Sequence, residues 1–263
     1  MAGVAYVTAK SMDRLYGTKT LVFQRKVFDP YGQGDVYAEN SQIVDYGAIR
    51  FSIACLLISR KYDILHIHDF DKLLPYLSRL YPKKVVVIQY HGDRIRGQWK
   101  EREHYYKNAS AILYSVKDLE SVDMPHKAML LLDPIDRDLF KPMSRDGAAP
   151  KSALTFSHAA DDLATRLANQ RGLNLTILRA KIPYVRMPET LSEFEYYIDI
   201  KRDSFGNILG KDDSVSVTAL QALACGLKVV KGWDNKIMTS LPEEHSPENV
   251  CRILHELYKE LTQ

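Results

Sequence analysis

The chain has 263 residues, enough for two separately cored lobes, and its 46% hydrophobic and 26% charged residues match an ordinary soluble globular protein. Lys plus Arg number 36 against 33 Asp plus Glu, a net charge of +3, so nothing in the balance calls for a nucleic-acid partner and none is expected. Cys55, Cys225 and Cys251 cannot all pair and lack CxxC spacing, the start MAGVAYVTAK lacks the apolar core of a signal peptide, and no apolar run nears the roughly 20 residues that span a bilayer; a reduced, cytoplasmic setting is expected.

In chain order, VAYV (4–7) reads as a strand and residues 42 to 60 as a helix. ILHI (64–67), VVVI (85–88), AILY (111–114) and AMLLL (128–132) read as strands, being short, apolar and rich in branched residues, as buried parallel strands are. Helical stretches at 71 to 80 and 98 to 109 fall between them. The segment KPMSRDGAAPKS (141–152) has the prolines, glycine and polar residues of a domain boundary. The alternation then restarts, with strands ALTF (153–156), LNLTIL (173–178), YYIDI (196–200) and LKVV (227–230) and helices at 159 to 171, 188 to 194 and 214 to 225.

The last helix has the clearest signals. Ser246 is a natural N-cap, Pro247 suits the first helical position, and Val250, Ile253, Leu254, Leu257, Tyr258 and Leu261 recur on one face. The βα alternation predicts an α/β chain with two Rossmann-like lobes, parallel sheets flanked by helices and a cleft between them. Residues 1 to 140 would form the N-terminal lobe and 141 to 263 the C-terminal lobe, with the helix at 247 to 262 a candidate for packing back toward the first. Ligands in such folds sit at the carboxyl ends of strands.

Four stretches could carry chemistry there. DILHIHDFD (63–71) sets His66 and His68 on one strand face, either as a metal pair with Asp69 or Asp71 as a third ligand or as hydrogen-bonded histidines at a strand end. VVVIQYHGDRIRGQWK (85–100) runs a buried strand into His91, with Gly92 permitting a sharp bend and Arg94, Arg96, Trp99 and Lys100 beyond. That basic segment is a candidate for an anionic ligand or, over 94 to 107, for a peripheral membrane contact. LLDPIDRDLFKP (131–142) places Asp133-Pro134, an aspartate pair and Phe140 before the linker. The helix ending at Gly226, a residue suited to a left-handed stop, begins near DDSVSV (212–217), where free N–H groups with Ser214, Ser216 and Thr218 would suit a phosphate.

Taken in order, these segments resemble the two-lobed (GT-B) glycosyltransferases, of the retaining family-4-like type. DILHIHD, QYHGD, NASAILYSVKDLESV, LLDPIDRDLFKP and LQALACGLKVV match that family's motifs over most of residues 60 to 263, with Asp133 and Pro134 standing where the family has Asn-Gly. The resemblance implies retaining, metal-independent transfer of a sugar from a nucleotide-sugar donor to an acceptor, whether glycan, lipid-linked or small molecule, with no resident cofactor. It implies a role for His91 at the donor sugar, with Gly92 beside it, and for Asp213 on sugar hydroxyls. Gln221 falls where a second acid, eight positions on, grips the ribose; an amide there can still bond hydroxyls, without charge assistance. In a rival register RDSFGNIL (202–209) makes Asp203 the first acid. The family's phosphate-clamping Gly-Arg is replaced by Ser157 and His158, leaving Lys201, Arg202 and Arg166 as candidate cations, and its N-terminal glycine-rich loop is not matched by TAKSMDRLYGTK (8–19). Two other classes fit parts of the pattern: a non-catalytic nucleotide- or partner-binding protein, and a metal-dependent hydrolase built on His66, His68 and His91.

Overall fold

The structure is a computed structural model that describes residues 3–92, 94–144, 149–156, 160–202, 208, 214–232 and 234–263. The N-terminal half runs α1 (Val4–Tyr16), β1 (Val22–Arg25), α2 (Gln33–Val36), β2 (Ser41–Val44), α3 (Ala48–Ile58), β3 (Ile64–His68), α4 (Leu74–Leu80), β4 (Val85–Tyr90), α5 (Trp99–Tyr106), β5 (Ala111–Tyr114) and β6 (Ala128–Leu130). The C-terminal half runs β7 (Ser152–Phe156), α6 (Asp161–Arg171), β8 (Asn174–Leu178), α7 (Met187–Ser192), β9 (Tyr196–Asp199), α8 (Val217–Ala224), β10 (Lys228–Lys231), β11 (Ile237–Met238) and α9 (Pro247–Thr262).

Two parallel sheets, each flanked by helices, give two Rossmann-like lobes. The first has strand order β3-β4-β5-β6; the second has β11-β10-β9-β7-β8, with only β11 antiparallel. A separate parallel pair, β1 and β2, completes the N-terminal half. Every residue of β4 is buried because both its faces are covered. Val86, Ile88 and Tyr90 point to the layer holding Leu74, Leu77, Trp99 and Tyr106. Val85 and Val87 point the other way, onto Val250, Leu254 and Leu257 of α9. The apolar stripe of the last helix is thus buried on the first sheet, each fully buried Val or Leu contributing about 1.5–3 kcal/mol. Its start is as the sequence predicts: Pro247 opens the helix and Ser246 Oγ accepts the Asn249 N–H.

The second sheet divides its faces likewise. Ala153, Ile198 and Val230 pack toward α6, while Leu154, Tyr197 and Val229 face α8. That second core continues into the N-terminal half through Tyr6, Val7 and Tyr37, so α1 is packed across the junction.

VAYV is not a strand. It opens α1, where Val4 through Ala9 are all buried, and so short an apolar run reads alike as buried helix or buried strand. The helix expected over 42 to 60 is two elements, strand β2 and then α3, with Gly47 starting the helix in extended conformation. Gly226 does stop α8 in the left-handed region, at φ 83°. Its N–H reaches the Leu223 carbonyl and the Leu227 N–H reaches Ala222, so two carbonyls of the last turn are satisfied.

Candidate functional site

Strands β3 to β6 all end at one edge of the first sheet, and each delivers a polar group there. His68 pairs in register with Gln89, and Tyr90 with Tyr114, so the residues just past these strands come together. His68 closes β3, His91 follows β4, Ser115 follows β5, and Asp133 lies just beyond β6.

His91 is the hub, with its side chain 10% exposed. Its backbone N–H donates to Asp69 Oδ1 at 3.1 Å. Its Nδ1 lies 2.8 Å from Ser115 Oγ and 3.2 Å from Asp133 Oδ1. Its Nε2 lies 2.7 Å from His68 Nδ1. Ser115 is itself held by Gln89, whose Nε2 donates to Oγ at 2.9 Å. Asp69 adopts φ 57°, an uncommon backbone state that aspartate tolerates better than most, and so turns its carboxylate back under His91. Asp133 is fixed from α9's side: His245 Nδ1 bonds its carbonyl at 2.8 Å, and the His245 carbonyl accepts the Ile135 N–H at 3.0 Å.

The electrostatics separate the three histidines. Burial pulls His91 down, but the adjoining Asp133 carboxylate and Asp69 outweigh that, leaving its pKa raised. Burial, then the neighbouring His66 and His91, hold His68 well below the ordinary histidine range. Burial and His91 lower His66 to about 3. The cluster therefore favours one positive charge, placed on His91.

His66 and His68 share a face of β3, with ring centroids 4.5 Å apart, but their Nδ1 atoms are spent on Tyr258 and His91. Among the described residues no group of three or more His, Cys, Asp or Glu is arranged to hold a metal ion.

On the second lobe, α8 begins beside the carboxyl end of β9. Ser216 caps it, its Oγ accepting the Ala219 N–H at 3.1 Å, and the Ser216 N–H donates to Asp199 Oδ2 at 2.9 Å. Ser214 precedes the cap, with its Oγ buried and lacking a hydrogen-bond partner among the described residues. Lys201 and Arg202 follow β9; Arg202 is paired with Asp162 at 3.1 Å. Gly92 stands beside His91 with open space where a side chain would start, meeting only Arg96 at 4.0 Å. Asp213, Asp203, Ser157 and His158 lie outside the described residues.

Gln221 sits elsewhere. It is 3% exposed within α8, and its Nε2 donates to the Tyr184 hydroxyl at 3.1 Å. The Tyr37 ring lies beside Tyr184, with centroids 6.3 Å apart; its hydroxyl donates to Asp136 Oδ2 at 3.0 Å, and Lys10 pairs with the same oxygen at 2.9 Å. The amide thus belongs to a buried polar cluster at the junction of the two halves.

The cationic segment after His91 is a second departure. Trp99 is 1% exposed, its indole N–H bonded to the Leu119 carbonyl at 2.7 Å, and Tyr106 is buried with it. Arg96 is paired with Asp118 at 2.8 Å. The aromatic residues expected at a membrane contact over 94 to 107 therefore include two that belong to the core. No described helix is long and apolar enough to cross a membrane.

Asp69 closes the DILHIHD segment and Ser115 the NASAILYS segment, but their shared part around His91 becomes visible only through strand order. No protein-family model matches the chain, and no curated protein matches it. Among solved structures it is similar to the sucrose-phosphate synthase of Thermosynechococcus elongatus, at 12% identity over 84% of this chain and 75% of that one, with a TM-score of 0.49.

Proposed function

We propose that the chain is a glycosyltransferase that moves a sugar from a nucleotide-sugar donor to a hydroxyl-bearing acceptor, with retention and without a required metal ion. One observation carries this reading: the four strand ends of the first sheet converge on His91, three through hydrogen bonds and the fourth through the Asp133 carboxylate 3.2 Å from its ring. Polar groups gathered at the carboxyl edge of a parallel sheet are where such folds bind ligands. His91, with Gly92 leaving room beside it, centres the acceptor side. On the donor side Ser214, the amino end of α8 capped by Ser216, and the cations Lys201 and Arg202 are suited to the diphosphate, whose leaving charge needs fixed positive partners. Asp213 would hold sugar hydroxyls and His158 would stand beside the phosphates. Gln221 acts at the seam and is not proposed as a direct ligand.

A second reading is a binding protein of the same architecture without turnover. It is favoured by His91, whose ring nitrogens are both engaged inside the protein, and by the Gln221 amide, engaged with Tyr184. A melting-temperature screen with nucleoside diphosphates, followed by assay of nucleotide-sugar consumption over a broad acceptor panel, separates the two. A transferase gives a shift with at least one nucleotide and release of that nucleotide from its sugar. Binding without release favours the second reading, and no shift with any nucleotide sinks both.

A further inference from the structure

We infer that His68, not His91, is the side chain that meets the substrate, exchanging a proton with the acceptor hydroxyl through its Nε2 while His91 and Asp133 stand behind it as a relay. This rests on the transferase reading above.

The geometry is a line of three groups. Asp133 Oδ1 is 3.2 Å from His91 Nδ1, and His91 Nε2 is 2.7 Å from His68 Nδ1. Two ring nitrogens at that distance share one hydrogen. The Asp133 carboxylate 3.2 Å away favours a proton on His91 Nδ1, which then points to the Ser115 oxygen at 2.8 Å, so Nε2 is the nitrogen left to vary. When His91 is neutral, its Nε2 accepts from His68 Nδ1–H, and His68 Nε2 carries a lone pair. When His91 is an imidazolium, its Nε2–H donates to His68 Nδ1, and His68 Nε2 carries a hydrogen. The outer nitrogen of His68 thus switches between acceptor and donor as the charge on His91 changes. Among the described residues His68 Nε2 has no hydrogen-bond partner, and it is not one of the fully buried unpaired atoms, so it is left for solvent or ligand. His68 closes β3 at the same carboxyl edge as the rest of the cluster.

The titratable groups around this pair fix where the charge rests. His66, from β3, and beyond it Tyr258, from α9, lie on one side; Asp69 and Asp133, past the ends of β3 and β6, lie by His91. Both acids adjoin His91, whereas His68 has imidazoles as neighbours. The raised pKa of His91 and the lowered one of His68 follow that placement.

In the transfer step the acceptor O–H bond breaks and a N–H bond forms at His68 Nε2. The hydrogen on His68 Nδ1 passes to His91 Nε2, so the new positive charge lies on His91 against Asp133. The acceptor oxygen bonds the anomeric carbon on the same face from which the nucleoside diphosphate departs with the electron pair of its broken bond, so the configuration is retained. Reversing the relay returns the proton to the departing phosphate or to water.

Two-bond 1H–15N spectra of the full chain across pH test the relay without any substrate, with signals assigned from His68→Gln and His91→Gln. As His91 gains its second proton, His68 is expected to stay neutral and to change from the Nδ1–H to the Nε2–H tautomer at the same midpoint. In Asp133→Asn that shared midpoint is expected to fall by about one pH unit or more, the usual effect of losing an adjacent opposite charge. His68 signals that stay still while His91 titrates, separate midpoints for the two rings, or a shared midpoint unmoved in Asp133→Asn would each overturn the relay. The second arm uses whichever nucleoside diphosphate raises the melting temperature. His68→Gln is expected to bind it within about 2-fold of wild type while transfer falls about 10²- to 10⁴-fold, the usual worth of general acid–base catalysis. Transfer at the wild-type rate in His68→Gln overturns the role of His68 and leaves the transferase reading intact. A wild-type chain that binds and consumes no nucleotide-sugar removes the transferase reading and, with it, the substrate role given to His68, whatever the titration shows of the relay.

Discussion

Tyr258, near the end of α9, and His66, in the middle of β3, share a hydrogen bond of 2.7 Å between hydroxyl and Nδ1, which ties the last helix of the chain to the edge strand of the first sheet. The bond lies inside the layer that α9 builds on β4 and β5, and its polar partners are removed from bulk water. A histidine in that place resists protonation.

Acid sensitivity follows with a definite sign. His66 titrates at about 3 in the fold against an ordinary value of 6.5, chiefly through burial and then through the charge on His91. Between those values the unfolded chain holds more protons than the folded one, so the contribution of His66 to stability is present above pH 6.5 and is lost as pH falls toward 3. His68 acts in the same direction. His91, with its raised pKa, acts oppositely: its contribution is full below the ordinary histidine value and is lost as pH rises through its own. Urea midpoints are expected to drop from about pH 7 to about pH 4.5 in wild type, and to drop less in His66→Gln. An equal drop in both proteins would show that other groups carry the acid sensitivity.

Asp71 is the most buried charge in the first lobe, at 0% exposure, and Arg102 grips it with two bonds of 2.6 and 2.7 Å while Tyr90 donates to it at 2.9 Å. Removing one partner of such a pair strands the other without solvent. Asp71→Ala is expected to cost about 3–5 kcal/mol in urea unfolding, and Asp71→Ala with Arg102→Met to recover part of that loss. A single-mutant loss under about 1 kcal/mol would mean that Arg102 simply turns outward to water.

Much of this was legible from residue order. The strands at 64–67, 85–88, 111–114 and 153–156 were readable because they are short runs rich in apolar residues, and α9 because cap, proline and stripe agree. What periodicity could not give was direction. Gln221 sits on a helix whose front end looks suited to phosphate, yet helix rotation turns it onto Tyr184. Trp99 looked like a surface aromatic among cations, and its burial depends on α5 lying over β4 and β5. The His91 cluster draws on residues from 68 to 133, and nothing in local spacing says that four separate strands end level with one another.

The thiols provide a check on packing. Cys55, Cys225 and Cys251 are all free. Burial pushes Cys55 and Cys251 up to about 12, so neither forms appreciable thiolate at neutral pH. An aromatic disulfide reagent at pH 8 is expected to label these two slowly in the folded protein and all three thiols at once in strong denaturant. Rapid labelling of Cys251 without denaturant would mean that α9 lifts from α1, since its sulfur lies 3.9 Å from the Thr8 carbonyl.

The sharpest expectation concerns why position 221 carries an amide. Gln221 Nε2 donates to the Tyr184 hydroxyl oxygen at 3.1 Å, so an amide, which has a hydrogen to give, suits this buried position. Gln221→Glu puts an acceptor where a donor is needed, and an ionised carboxylate at that depth must also shed its water. The variant is expected to lose about 2–4 kcal/mol at pH 7, combining a broken buried bond with the cost of the charge. Protonated, the new side chain can donate again, so its pKa in the fold is expected to rise above the unfolded value. Between the two the folded state holds the extra proton, and the deficit relative to wild type should shrink as pH falls toward 5. Gln221→Leu, which has no proton to gain, should show a deficit that does not depend on pH in this range. Parallel pH dependence of the Glu and Leu variants in urea unfolding would refute the donor role of Gln221 toward Tyr184.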